Sequence, residues 1–216
     1  MGQSAPDAAG SRLRQIYLDE IAENAQLYNG PEYIRNGQRA IGFPFFESND
    51  LLSGSVSYRG VEYPSLRLQY DLTIDELIAA DFDGKALMRL EKKKIDSFLL
   101  DGHRFIKFTA AATNGLLKDG YYEELSNGSA SLYVKRIKKL NTPVGYEDFK
   151  YLDYNYFFLR TTSGFHAVGS RDELLDLLAD KKDQLKKFIH VNKLNFRKKP
   201  EEAFTKTVVY YSQITP

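Results

Sequence analysis

Ser53-Gly-Ser-Val-Ser-Tyr-Arg-Gly-Val-Glu-Tyr-Pro-Ser-Leu-Arg-Leu-Gln-Tyr70 decides the fold. Two β-prone runs, Ser53 to Tyr58 and Val61 to Tyr70, flank Arg59-Gly60, and glycine supplies the positive φ that a tight hairpin turn requires. The same grammar recurs downstream. Glu76 to Ala80 and Lys85 to Leu90 flank Asp81 to Gly84, and Ile95 to Leu100 and Arg104 to Phe108 flank Asp101-Gly102. Gly120 to Leu125 and Ser129 to Leu140 flank Asn127-Gly128, and Tyr154 to Thr161 and Phe165 to Val168 flank Ser163-Gly164. Short strands separated by turn dipeptides at intervals of about ten residues predict an antiparallel meander.

The pattern changes on either side. Upstream, Leu13, Ile16, Tyr17, Ile21 and Ala25 follow helical spacing, with Asn29-Gly30-Pro31 as a stop, so an N-terminal helix is expected over 11–30. Residues 1–10 are small and polar and read as a flexible leader, with neither the basic start nor the apolar core of a signal peptide. Phe43, Phe45 and Phe46 lie in an irregular connection and are expected to plug the core. Downstream, Ser170 and Glu173 have capping-box spacing before a Leu174, Leu175, Leu177 and Leu178 stripe. A second helical segment carries Leu185, Phe188 and Ile189, and a third opens at Pro200. Segregation of strands from helices predicts an α+β fold. Its parts are an antiparallel β domain over 31–169, an open barrel or roll of roughly 8–10 strands, and helices over 170–216 packed on the same core.

Composition narrows the function. Hydrophobic residues are 43% of the 216 and charged residues 27%, so the chain is an ordinary globular one. A net charge of +1 lacks the overall basic footprint of a dedicated nucleic-acid binder, and no nucleic-acid partner is expected. Apolar runs such as Tyr156 to Leu159 are far shorter than the ~18 residues of a membrane helix, so an integral membrane protein is not expected. Without cysteine there is no disulfide, zinc-thiolate site or Cys nucleophile.

Candidate chemistry is sparse. His103, His166 and His190 do not cluster and belong to no ligand-pair motif. Asp81-Phe-Asp-Gly84 resembles part of a calcium loop, but Gly84 in the sixth position would put Ala79 first and Leu90 twelfth, so it reads as a polar turn. No metal or cofactor is expected. Asp71 and Asp75 are the candidates for a two-carboxylate hydrolase, which needs its acids roughly 5–10 Å apart across a cleft. Their simpler role is to end one strand and begin the next. The basic run Lys135-Arg-Ile-Lys-Lys139 reads as a solvated strand face or charged edge. Of the 15 tyrosines, Tyr151, Tyr154 and Tyr156 are the most concentrated, and they are the candidate recognition surface because the ring adds apolar area and the hydroxyl a polar handle.

The run from Gly54 to Asp71, then Gly120-Tyr-Tyr-Glu-Glu-Leu125 leading to Val134-Lys-Arg-Ile-Lys138, resembles uncharacterised exported proteins of Bacteroidota. Lys182-Lys-Asp-Gln-Leu-Lys-Lys-Phe188, Lys193-Leu-Asn-Phe-Arg197 and Val208-Val-Tyr-Tyr211 extend the resemblance from about Asn29 to Tyr211. It implies a periplasmic or cell-envelope location and assigns no activity. The expectation is a non-catalytic binding or assembly module that contacts another envelope protein or a glycan. The alternative is a carboxylate-dependent hydrolase of carbohydrate or lipid using Asp71 and Asp75. The first expectation depends on ionisable groups being scattered, and His103 or His166 within hydrogen-bonding reach of an acid at the floor of a deep cavity would overturn it.

Overall fold

The computed structural model describes residues 27–35, 39–81, 84–141 and 148–215. The expected leader and nearly all of the expected N-terminal helix lie outside the described residues, as do Phe82 and Asp83 of the calcium-like turn. Among the described residues the fold is α+β. The first five strands are β1 (Leu52–Tyr58), β2 (Val61–Asp71), β3 (Glu76–Ala80), β4 (Leu87–Arg89) and β5 (Ile95–Leu100). The next five are β6 (His103–Phe108), β7 (Gly120–Ser126), β8 (Ser131–Leu140), β9 (Tyr151–Thr161) and β10 (Gly164–Val168). They form one open antiparallel sheet in the order β10-β9-β8-β7-β6-β5-β1-β2-β3-β4. Helices α1 (Arg171–Leu177), α2 (Lys182–Val191) and α3 (Pro200–Ile214) follow. None of the described helices is long and apolar enough to cross a membrane.

Turn chemistry sets the hairpins. Arg59 and Gly60 both have positive φ, 54° and 76°, as do Asp101 and Gly102, 48° and 84°, which is the signature of the two-residue turn whose twist matches the flanking strands. In α1, Ser170 Oγ accepts the Glu173 N–H at 3.2 Å, and Glu173 Oε2 accepts the Gly169 N–H at 2.8 Å. The expected cap is therefore present, shifted by one residue on its return bond. Strand β2 carries one extra residue opposite Ser55, at Pro64-Ser65, where proline has no N–H to offer the ladder and Ser65 has φ 58°.

The simple meander breaks once. After β4 the chain pairs β5 with β1 and not with β4. Through the registers Arg89↔Ile78, Ile78↔Gln69 and Leu68↔Leu52, Arg89 lies near the Leu100 end of β5, whereas Ile95 lies beside Tyr58 at the other end. In a flat sheet these ends would stand about 19 Å apart sideways, plus the length of β5. The linking residues 90–94 reach at most about 20 Å and include a 3₁₀ turn at Lys92–Lys94. The sheet must therefore curl. Inside the curl, Tyr70, Phe98, Phe105 and Tyr121 pack edge-to-face and stacked, with ring centroids 4.7–5.8 Å apart. A second buried cluster joins Leu132, Val134 and Leu159 of the sheet to Leu174, Leu185, Phe204 and Val208 of the helices.

Gly54 marks the tightest passage in the sheet. A Cβ there would strike the Leu99 carbonyl oxygen and lie 2.8 Å from Leu68 Cδ1. Gly54→Ala should therefore lower the unfolding free energy by about 3 kcal/mol, the upper range for overpacking because the obstacle is backbone. Urea denaturation monitored by tyrosine fluorescence checks this, and an unchanged midpoint would contradict the packing.

Candidate functional site

Lys135, Arg136 and Lys138 of β8 have side chains no more than 12% exposed, so of the basic run only Lys139 is a solvated cation. A buried cation is tolerated only with a partner, and each of the three finds one in a different part of the chain.

Lys135 Nζ donates to Asp75 Oδ1 at 2.6 Å and to the Tyr121 carbonyl at 3.0 Å. Asp75, in the β2–β3 turn with φ 58°, also accepts from Lys92 Nζ and from the Tyr70 hydroxyl. Burial lowers the Lys135 ammonium below its ordinary pKa against the pull of Asp75. Burial, then the Asp75 charge, holds the Tyr70 phenol well above its own. Lys138 Nζ donates to the carbonyls of Phe43 and Phe45, at 3.2 and 2.8 Å, and sits over the Phe43 ring. Its backbone N–H bonds the Leu72 carbonyl at 3.2 Å.

Arg136 connects the sheet to the helices. Its Nε donates to Glu123 of β7, and its two terminal nitrogens make a bidentate pair with Glu201 of α3 at 3.0 Å each. Burial opposes the guanidinium charge, but the bonds to Glu201 and Glu123 outweigh it and raise its pKa. Glu123, buried at 3% side-chain exposure, accepts from His103 Nδ1 at 2.6 Å on its other oxygen. A carboxylate only accepts, so Nδ1 carries the hydrogen and Nε2 faces outward, 3.6 Å from Glu47 Oε1. The imidazole rests edge-on against Phe46, with centroids 5.1 Å apart. His103, Glu123, Asn155, Phe157 and Glu201 line an open cleft of about 770 Å³ between the sheet and the start of α3.

The His103–Glu123 pair departs from the expected scatter of ionisable groups. One signal for it exists in the sequence. Alternation along β7 places Glu123 on the same side as Tyr121, and an acid at a core-facing position requires a partner. The partner lies across the β6–β7 ladder and has no local mark.

The two candidate acids of the hydrolase reading do not face each other across a cleft. Asp71 is buried: its Oδ2 accepts the Tyr33 hydroxyl at 2.8 Å, while its Oδ1 accepts the Thr73 N–H and hydroxyl at 2.8 and 2.6 Å. Asp75 is held by two lysines and a tyrosine, as described above. Of the candidate recognition residues, Tyr154 and Tyr156 share one face of β9, and Tyr151 lies on the opposite face beside Gly42 and Tyr33 in a small cavity of about 200 Å³. The structure brings the first two together and separates the third.

β9 has an open edge. β10 pairs with it only from Phe157 onward, and at its start the Tyr151 N–H bonds the Ile41 carbonyl on the same side. Because backbone groups alternate sides along a strand, Asp153 and Asn155 also aim their N–H and C=O at that edge. Among the described residues no backbone group meets them there. All residues from Leu152 to Tyr156 are exposed.

No family model, curated protein or solved structure matches this chain.

The environment of Asp75 yields a direct test of its role. Asp75→Asn removes the charge facing Lys135 and Lys92 but keeps one acceptor, and should lower stability by about 2 kcal/mol, less than the usual loss for a fully buried pair. Urea denaturation at neutral pH checks this; a residue that served only as a catalytic acid would leave the midpoint unchanged.

Proposed function

We propose that this protein is a non-catalytic binding module of the cell envelope that takes up an extended segment of a partner protein on the β9 edge. The observation that carries this reading is the gap between the Ile41 bridge and β10, in which Asp153 and Asn155 present unpaired backbone groups. A strand added there gains main-chain hydrogen bonds for affinity, and side chains on alternate positions read its sequence. Tyr154 and Tyr156, 37% and 48% exposed, flank the gap on one face and supply rigid contact area. Lys139 stands over the Tyr154 ring at 5.2 Å and holds its orientation. The resemblance of the sequence to exported proteins supports an envelope partner. The engagement of Asp71 and Asp75 in internal bonds supports binding over carboxylate catalysis.

One observation favours a second reading, hydrolysis of a lipid or carbohydrate ester in the cleft. His103 Nε2, oriented by Glu123, would take a proton from water as its oxygen adds to the ester carbonyl, then return it to the departing alkoxide, giving acid and alcohol. Glu123 would act as a positioning residue.

The two readings separate experimentally. A photo-crosslinker at Leu152, exposed on the same face of β9, should trap one partner in native envelopes, and Asn155→Pro should abolish that adduct without changing the melting temperature, since an edge strand tolerates proline where its N–H faces solvent. Replacing Tyr154 and Tyr156 by Ala should weaken capture about fivefold per ring, following cross-strand aromatic energies. Unchanged adduct yield in all three variants would overturn the edge reading. For the hydrolase reading, the purified chain should cleave a p-nitrophenyl acyl ester, and His103→Gln should abolish turnover with melting unchanged; no turnover in the unaltered chain removes it.

A further inference from the structure

The net charge of +1 conceals a steep internal polarity. Residues 181–199 hold eight Lys and Arg against one acid, Asp183, a local charge of +7, so the rest of the chain carries −6. Lys182 is spent on Asp176, and Lys199 on Glu202. Lys186, Lys187, Lys193, Arg197 and Lys198 are exposed and make no ion pair among the described residues.

Two of these cations, Lys186 and Lys193, line a shaped feature. Between the start of α1 and the end of α2 lies a cleft of about 590 Å³, with Leu175 and Ile189 at its apolar base and Arg171, Lys186 and Lys193 among its walls. Helix α2 ends in a turn in which the Leu194 N–H bonds the Ile189 carbonyl and the Lys193 N–H bonds that of His190. Lys193 takes the left-handed position of this turn, φ 51°, where glycine is usual. A lysine is thereby kept at the cleft in a conformation that a β-carbon disfavours. Beside it Val191 is 75% exposed, second among the large apolar side chains of the described residues.

We propose that this basic end docks on an anionic phospholipid bilayer, with a headgroup phosphate in the α1–α2 cleft and Val191 as an apolar contact at the interface. Charge complementarity selects the partner, because lysines near an anionic leaflet each contribute to binding and their long stems keep the charge at the headgroups around an apolar tip. A nucleic acid fits less well. Binding to single strands uses exposed rings for base stacking. The rings here are engaged internally: Phe188 stacks on Tyr210 at 4.1 Å, and Phe196 packs edge-on against Phe204 at 5.1 Å. The inference stands on the charge distribution and is independent of the β9 edge.

The test is cosedimentation of the full chain with vesicles of phosphatidylglycerol and phosphatidylcholine, against vesicles of phosphatidylcholine alone. Binding only to the anionic vesicles is expected, with release at about 1 M salt, where the screening length falls to about 3 Å. Lys186→Ala with Lys193→Ala should weaken the vesicle partition about 25-fold, at about fivefold per cation. Lys118→Ala with Lys150→Ala, a matched neutralisation outside the patch, should leave it unchanged, as should Tyr154→Ala with Tyr156→Ala. Equal sedimentation with both vesicle types, wild-type binding by the Lys186 and Lys193 variant, or binding to single-stranded RNA or free glycerol phosphate without vesicle binding would each overturn the proposal.

Discussion

Three cations of one strand hold the molecule's separate parts in register. Lys135, Arg136 and Lys138 are withdrawn from water, and the cost of stranding a buried charge falls on any arrangement that lacks its partner. The partners are the β2–β3 turn, the β7 strand with the start of α3, and the Phe43–Phe45 segment. Replaced by apolar groups of similar volume, such pairs are often no loss in stability. Their contribution is to discriminate: apolar packing alone would permit the curled sheet to slide against the helices, whereas three directional pairs within four residues of β8 permit one alignment.

That alignment creates the features on which the proposed function rests. Arg136 draws the start of α3 toward the sheet, and the space left beside it is the cleft that His103 and Glu123 line. Lys138 pins the Phe43–Phe45 segment, from which Ile41 reaches the start of β9 and fixes one end of the edge gap. The other end is fixed at Phe157, where β10 stops at Val168 and the chain turns to the Ser170 cap of α1. A gap bounded at both ends resists indefinite edge-to-edge growth, and the exposed Asp153 in its middle adds a charge against unspecific pairing.

How much of this is legible in the sequence depends on range. The hairpins at Arg59-Gly60 and Asp101-Gly102 follow from local turn chemistry, because positive φ at two consecutive residues is a property of the dipeptide. Helices α1 and α3 likewise begin where a cap, Ser170, and a proline, Pro200, predict, whereas α2 begins with neither. Strand order is another matter. Nothing local to Leu90 or Ile95 says that β5 will return to β1; that follows from linker length against sheet geometry, and only after the registers are known. The basic run of β8 misleads for a related reason. Charge in a strand suggests solvent by composition, yet Lys135 and Arg136 find acids 60 and 13 residues away in the chain. The pairing of His103 with Glu123 has the same origin, a ladder contact between side chains 20 residues apart. Tyr154 and Tyr156 were separable from Tyr151 by strand parity alone, once β9 is seen to begin at Tyr151 and not at Tyr154.

Net charge is the least informative of the global descriptors for this chain. A value of +1 suggests indifference to charged partners, but it sums a charge of +7 confined to residues 181–199 with −6 spread over the rest of the chain, and a charged surface acts on the local charge. The patch is contiguous in sequence because α2 and the turn that follows it are contiguous, so its identity as a surface needs no long-range folding to assemble. What the fold adds is the company: Leu175 from α1 beneath the cations, and Phe196 turned inward onto Phe204 between the cleft and β9. Loop residues 192–199 thereby carry cations on one side and, on the other, a ring that lines a cavity with Tyr156, so the basic cleft and the β9 edge border the same short segment.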